Sequence, residues 1–272
     1  MIIKQIKENI IIILQSIGIV FAICVPSLFD ISKIFEKYIS NNYVTPDNFF
    51  VYFALTKGNC VLAIILGVVI WWNIRGNNGD MQMNRDNSVY HNYPYVWYWY
   101  CAKVMGIKKC NLIGVPIYMQ VKLVMHRIFD EYPLSDSEYP ESKDEKVKVS
   151  KMNANNKKIE CNLILEDTYL IDKSQIPDEK RKLFTVKISR NNGNDFVRRY
   201  NEVFIEKIIE EVKILPEKTV LNIFATTNPK NTLNITRRLF SQVGRGNILH
   251  INIFQQTRDG NRLFKEKGKR IY

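Results

Sequence analysis

Three apolar segments in the second half of the chain end in short polar clusters, and the residue types there limit the chemistry available. Residues 183–189 (LFTVKIS) close on Ser189 and run into Arg190, Asn191 and Asn192. Residues 220–225 (VLNIFA) lead to Thr226, Thr227 and Asn228, with Asn231 and Thr232 soon after. Residues 248–254 (ILHINIF) are followed by Gln255, Gln256, Thr257 and Arg258. Hydroxyls, amides and guanidinium groups hydrogen-bond and neutralise phosphate, but they do not shuttle protons at neutral pH and, with no base beside them, are poor nucleophiles. Thr226-Thr227-Asn228 also runs into Pro229 at the start of a helical pattern. A helix start offers free N–H groups and partial positive charge to a phosphate, and the same residues are equally good plain helix caps.

Catalytic signatures are otherwise missing. No GxxxxGK[ST] loop, GxSxG, HExxH or kinase set occurs, and the glycines form no dinucleotide fingerprint. His91, His126 and His250 are scattered, so a zinc centre is not expected, nor is any other cofactor. Glu166-Asp167 is the one acidic pair that ends a strand-like segment, and neighbours on an extended chain point to opposite sides. Arg237, Arg238 and Arg245 add positive field, although each taken singly better fits a surface or helix-end role.

The elements that must hold these clusters alternate in type. Strand-like segments cover 159–171, 183–189, 220–225 and 248–255. Helical periodicity covers 196–214, with Asp195 as candidate cap and Pro216 as stop, and 228–243, closed by Gly244 and Gly246. Strand and helix alternating at these lengths predict an α/β unit with a Rossmann-like, mostly parallel sheet, whose ligands sit at the strands' carboxyl ends. Upstream, 115–132 reads as a strand–helix junction and 133–158 as a polar excursion. Seven of the eleven residues from Tyr90 to Tyr100 are aromatic, which fits a membrane-interface belt, a packed core or a base-stacking surface.

The first 74 residues differ from the rest. Of two apolar runs, 9–29 reaches the roughly 20 residues that span a bilayer, and 60–74 does so if Lys57 marks the interface and the run extends back through 49–55. Trp71-Trp72 resembles an interfacial belt, and 30–48 reads as a connector with turn signals at Asn41-Asn42 and Thr45-Pro46-Asp47. The length of the first run and the lack of a small-residue cleavage site argue against a signal peptide. The expected organisation is a two-helix transmembrane hairpin over 1–75, a juxtamembrane aromatic and basic segment with a polar insertion over 76–158, and the α/β ligand-binding unit over 159–272. Of the net charge of +12, the first 74 residues carry five lysines against four acids, leaving +11 for the rest. A basic unit beside a bilayer suits anionic lipid, nucleic acid or a phosphorylated ligand. Five cysteines without a CxxC pair fit a reducing compartment, so the soluble unit is expected in the cytoplasm, beneath the inner membrane.

The stretch VLNIFATTNPKNTLNITRRLFSQVGRGNILHINIFQQ, with the preceding 183–190 segment and its helix, resembles the last part of SAVED and CARF nucleotide-sensing domains. That resemblance spans about 90 residues from Leu183. It implies a receptor for a cyclic oligonucleotide in a prokaryotic antiphage pathway, joined to two membrane helices that breach the inner membrane once the soluble part binds its messenger and oligomerises. It also implies ligand contacts from Ser189, Arg190, Thr226, Thr227, Asn228, Gln256 and Arg258; Asn191, Thr232 and Gln255 join them by position. The partners expected are the cyclic oligonucleotide, the bilayer and further copies of the chain, without long nucleic acid. Two other readings stay open: a membrane-tethered subunit of an envelope or transfer assembly, and a membrane-bound enzyme acting on nucleic acid, which the missing acid–base groups disfavour.

Overall fold

The computed structural model describes residues 2–38, 45–142, 146–156, 159–190, 198–240, 246–257 and 260–272. The chain divides into two compact units: one contains Met1–Val89 and Val96–Lys109, the other Tyr90–Tyr95 and Cys110–Tyr272.

The first unit is built on α1 (Ile2–Leu28) and α4 (Asn59–Asn77). Within them Asn9–Leu28 and Asn59–Asp80 are long and apolar enough to cross a membrane. Gln15 meets Asn78 while Ile23 lies against Gly67, so the two helices run antiparallel. A Cβ on Gly67 would stand 2.7 Å from Ile23 Cγ1, and this close approach uses a small residue as membrane helix pairs do. Large apolar side chains such as Leu14, Ile17, Val20, Phe21, Ile64 and Val68 point outward. An outer surface of that kind suits hydrocarbon and not water.

The connector expected over 30–48 is in fact partly helical: α2 (Ile31–Tyr38) follows α1 through Asp30, which has φ 47°. The Asn41-Asn42 signal lies outside the described residues, whereas Thr45–Asp47 does precede α3 (Phe49–Lys57). The extension of the second run back through 49–55 fails at Gly58 (φ −131°, ψ 73°), which separates α3 from α4. Asn59 ties this break to the α1–α2 turn, accepting from Ser32 N at 3.0 Å and donating to Asp30 at 3.3 Å. The aromatic stretch forms α5 (Tyr95–Trp99) and a π-helical turn, Tyr100–Val104.

The second unit carries a six-stranded sheet: β1 (Lys148–Met152), β2 (Glu160–Glu166), β3 (Phe184–Ser189), β4 (Thr219–Ala225), β5 (Ile248–Phe254) and β6 (Lys269–Arg270), in the order β1-β3-β2-β4-β5-β6. The sheet is mixed. The four middle strands run parallel and both edges pair antiparallel, which modifies the expected parallel sheet at its margins. The stretch read as a polar excursion thus supplies an edge strand, and its lysines discourage further pairing there.

One face of the sheet, with Leu163, Leu165, Val186, Ile188, Leu221, Ile223, Ile251 and Ile253, packs on α6 (Ile117–Met125), α8 (Glu202–Lys213) and α9 (Pro229–Arg238). Each such side chain taken from water contributes about 1.5–3 kcal/mol. The other face is divided. Near the carboxyl ends Ile164, Phe224, Phe254 and Phe264 form a small second core. Nearer the amino ends Thr185, Asn162, Asn222 and Asn252 stand in register on four neighbouring strands. Asn162 donates to Thr185 at 3.0 Å, and Asn252 donates to Asn222 at 3.1 Å. Asn222 donates to Glu160 at 2.7 Å, and Glu160 also receives Lys180, from α7 (Asp178–Arg181), at 2.7 Å.

Candidate functional site

Pairing continues just past the strands. Arg190 N donates to Glu166 O and Thr226 N to Leu165 O, each at 3.0 Å, so the tips of β3, β2 and β4 end side by side. The strand order therefore brings Asp167 between Arg190 and Thr226. Glu166 and Asp167 diverge, as neighbours on an extended chain must. Glu166 accepts from Ile171 N at 2.7 Å and pairs with Lys187 at 2.6 Å, whereas Asp167 turns toward the start of α9.

There Asp167 Oδ2 accepts three hydrogen bonds: from Asn228 N (2.9 Å), Asn228 Nδ2 (2.8 Å) and Asn231 Nδ2 (2.9 Å). Its Oδ1 lies 3.4 Å from Arg190 Nε, in a pair with both side chains almost wholly buried. Asn228 caps α9 by accepting from Asn231 N at 3.0 Å, and Pro229 takes the first helical position, where its missing N–H costs nothing. A helix start attracts an anion; here the anion is the protein's own carboxylate.

The remaining expected residues divide by burial. Thr226 hydrogen-bonds Tyr169 O at 2.9 Å and receives Asp167 N at 3.2 Å. Thr227 and Thr232 pair hydroxyl to hydroxyl at 2.8 Å. Ser189, Arg190, Thr226, Thr227, Asn228 and Thr232 are all buried. The hydrogen bonds of Thr226, Thr227, Asn228 and Thr232 tie the strand tips together. Gln255 and Gln256 are half-buried at the end of β5. Gln256 Oε1 accepts from Tyr169 OH at 2.5 Å, and the Arg262 guanidinium sits 4.6 Å from the Tyr169 ring centroid. Asn191 and Arg258 lie outside the described residues, as do Asn192, Asp195, Gly244 and Arg245.

Sequence reasoning named Asp167 only as half of an acidic pair and passed over other contributors. Asp167 lies 23 positions before Arg190 in the sequence but beside it in the sheet. The 133–142 stretch, read as exposed, folds back: Tyr200 N donates to Pro140 O at 3.1 Å, Lys230 reaches Asp136 at 2.5 Å, and Tyr139 is buried. Burial pushes the Tyr139 hydroxyl up to about 12. Of the cations nearby, Lys187 is paired with Glu166 and Lys230 with Asp136, and the Arg199 carbonyl accepts from Asn228 Nδ2 at 2.8 Å and Asn231 Nδ2 at 3.0 Å. Among the described residues no group of three or more His, Cys, Asp or Glu could hold a metal. The helix expected from Phe196 begins at Glu202, with Asn201 Oδ1 capping Phe204 N at 2.8 Å.

Part of the chain aligns with the Acinetobacter baumannii Cap4 SAVED/CARF-domain containing receptor. Against that receptor with the cyclic trinucleotide 3'3'3'-cAAA the TM-score is 0.40 at 9% identity, and with 2'3'3'-cAAA it is 0.41 at 10% identity. Each comparison covers 65% of this chain and 41% of the receptor, so the chain spans about two fifths of the receptor's length. No curated protein matches the chain. A family model built on two membrane helices and an effector role does match, from the first residue to the last. On residues 1–272 the chain belongs to the SMODS- and Ubiquitin system-associated 2TM effector domain family, SUa-2TM.

Proposed function

We propose that the protein is a membrane effector of antiphage defence: its α/β unit senses a cyclic oligonucleotide, and its α1–α4 hairpin disrupts the inner membrane in response. The observation that carries this reading is the combination in one 2TM effector chain of a hairpin with an apolar outer surface and an α/β unit whose strand tips gather hydroxyl, amide and cationic groups. The ligand sits over the carboxyl ends of β2, β4 and β5. Gln255, Gln256, Tyr169 and Arg262 contact it. Ser189, Arg190, Thr226, Thr227, Asn228 and Thr232 support them from below, and Asn191 and Arg258, outside the described residues, are further contacts proposed from the sequence. Tip chemistry of this kind favours a receptor over an enzyme. Free, buried cysteines at 110 and 161 support a cytoplasmic α/β unit. Breaching a bilayer takes several hairpins, so the active form is a homo-oligomer. The ligand acts only if it binds the assembled or open state better than the resting one.

Calorimetry on the full chain in detergent, with cyclic di-, tri- and tetranucleotides including the two bound by the Cap4 receptors, tests the sensor. Saturable heat is expected with at least one ligand, and Gln256→Ala should weaken it roughly tenfold or more. No heat with any of them would overturn the reading.

A further inference from the structure

Segment 96–109 belongs to the hairpin unit although residues 90–95 before it and 110 onward belong to the α/β unit. The chain therefore leaves the α/β unit, touches the hairpin, and returns. The touching segment has unusual backbone. Met105 N reaches five residues back to Tyr100 O at 3.0 Å, and the π-helical turn leaves its last carbonyls without regular helical partners.

One stripe along α4 and the turn beyond it supplies those partners. Trp71 Nε1 donates to Val104 O at 2.8 Å, Arg75 to Lys103 O, and Asn78 Nδ2 to Met105 O at 2.9 Å. Their spacing of four and then three residues keeps them on one helix face. From α1, Gln15 exchanges two amide hydrogen bonds with Asn78, at 2.8 and 2.9 Å. Ser16 meets the Tyr100 hydroxyl at 2.8 Å, and Asn9 accepts from Trp97 at 3.3 Å. Gly106 completes the fit. It has φ +79°, and a Cβ there would stand 2.5 Å from Arg75 Cγ and 2.8 Å from Arg75 O.

We infer that this segment is a latch: Asn78, fully buried and bonded at once to α1 and to the π-helical turn, holds the two apolar helices in their resting register, and displacement of 96–105 by the α/β unit releases them. The inference rests on the membrane-effector reading for its consequence, not for its geometry. Gln15 lies inside the apolar stretch of α1, so losing Asn78 leaves an amide among apolar side chains in need of a new partner. Release therefore moves α1; it does not leave the hairpin unchanged.

The test uses the full chain in phosphatidylethanolamine and phosphatidylglycerol vesicles, with dye release and amide hydrogen exchange read together. Asn78→Ala and Gly106→Ala should each raise release without nucleotide roughly tenfold. They should also speed exchange over 100–107 and the 9–16 part of α1 while the sheet strands keep wild-type protection. Unchanged exchange in both variants would overturn the latch. So would faster exchange with release no higher than wild type, in vesicles where the wild type responds to a nucleotide. If neither wild type nor variants release dye under any condition, membrane disruption fails, and the exchange arm still decides whether the latch exists. Should Asn78→Ala loosen the sheet too, Tyr100→Phe, which removes one hydroxyl, must give the same local pattern at smaller amplitude or the latch is wrong.

Discussion

Asp167 takes the place at the start of α9 that an incoming phosphate would otherwise be drawn to. Three N–H groups and a guanidinium converge on it out of contact with water, and that convergence changes what Arg190 is for. The sequence marks Arg190 as a cation at a strand tip, a sound reading of residue type. Its carboxylate partner becomes visible only when β3 is known to lie beside β2. Removing one member of a buried pair strands the other. Arg190→Ala should cost about 3–5 kcal/mol, read as a lowered chemical-denaturation midpoint of the full chain in detergent. Replacing both members with apolar residues, Arg190→Met with Asp167→Leu, should cost less than the single change. Gln256→Ala should leave that midpoint within about 0.5 kcal/mol of wild type, because it removes a half-buried side chain at a rim.

Among the elements, β2, β3, β4 and β5 and the helices before β4 and β5 were legible, because long apolar runs and helical spacing are strong signals. The edge strand β1 was not. KVSKM has the composition of a solvated loop, and an edge strand with both faces largely in water gains little from apolar side chains. The row of asparagines was equally hidden. Asn162, Asn222 and Asn252 each precede an apolar pair in their strands, a repeat that acquires meaning only through the register. Its importance can be measured. Asn222 is fully buried, and Asn222→Ala should destabilise by about 1–3 kcal/mol because it leaves its polar neighbours short of partners. Burial pushes the Glu160 carboxyl up, but the Asn222 amide and the Lys180 ammonium outweigh burial and hold it below its ordinary 4.5. A carboxyl depressed in the folded state contributes stability above its unfolded value and loses it as pH falls through the folded one. Thermal midpoints should therefore drop as pH falls below about 4.5, and Glu160→Gln should flatten part of that slope.

For the whole molecule, the two membrane helices were the plainest message of the sequence. Their interior is less apolar than the runs imply, because Gln15, Ser16 and Asn78 find partners within the unit. Polar groups paired inside a helix bundle are compatible with hydrocarbon, so the full chain should stay in the membrane pellet after alkaline carbonate or high-salt extraction. Release by salt alone would mean that its net charge of +12, and not its apolar helices, holds it to the surface. The aromatic stretch, open to three readings in the sequence, is divided: Tyr98 is fully buried, Trp97 and Tyr100 are engaged by α1, and Trp99 is exposed.

The two returns of the backbone at 95–96 and 109–110 also dictate how the protein can be cut. A piece begun at Gly76 would keep Trp97, Tyr98 and Tyr100 while discarding Asn9, Ser16 and Trp71, and so would present a greasy, self-adhesive flap. Starting at Cys110 avoids the flap but discards Tyr95, which packs on His126 and lies under Lys122. Splicing residue 95 to residue 110 through a few glycines, with the first 89 residues removed, is the excision most apt to give a well-behaved α/β unit.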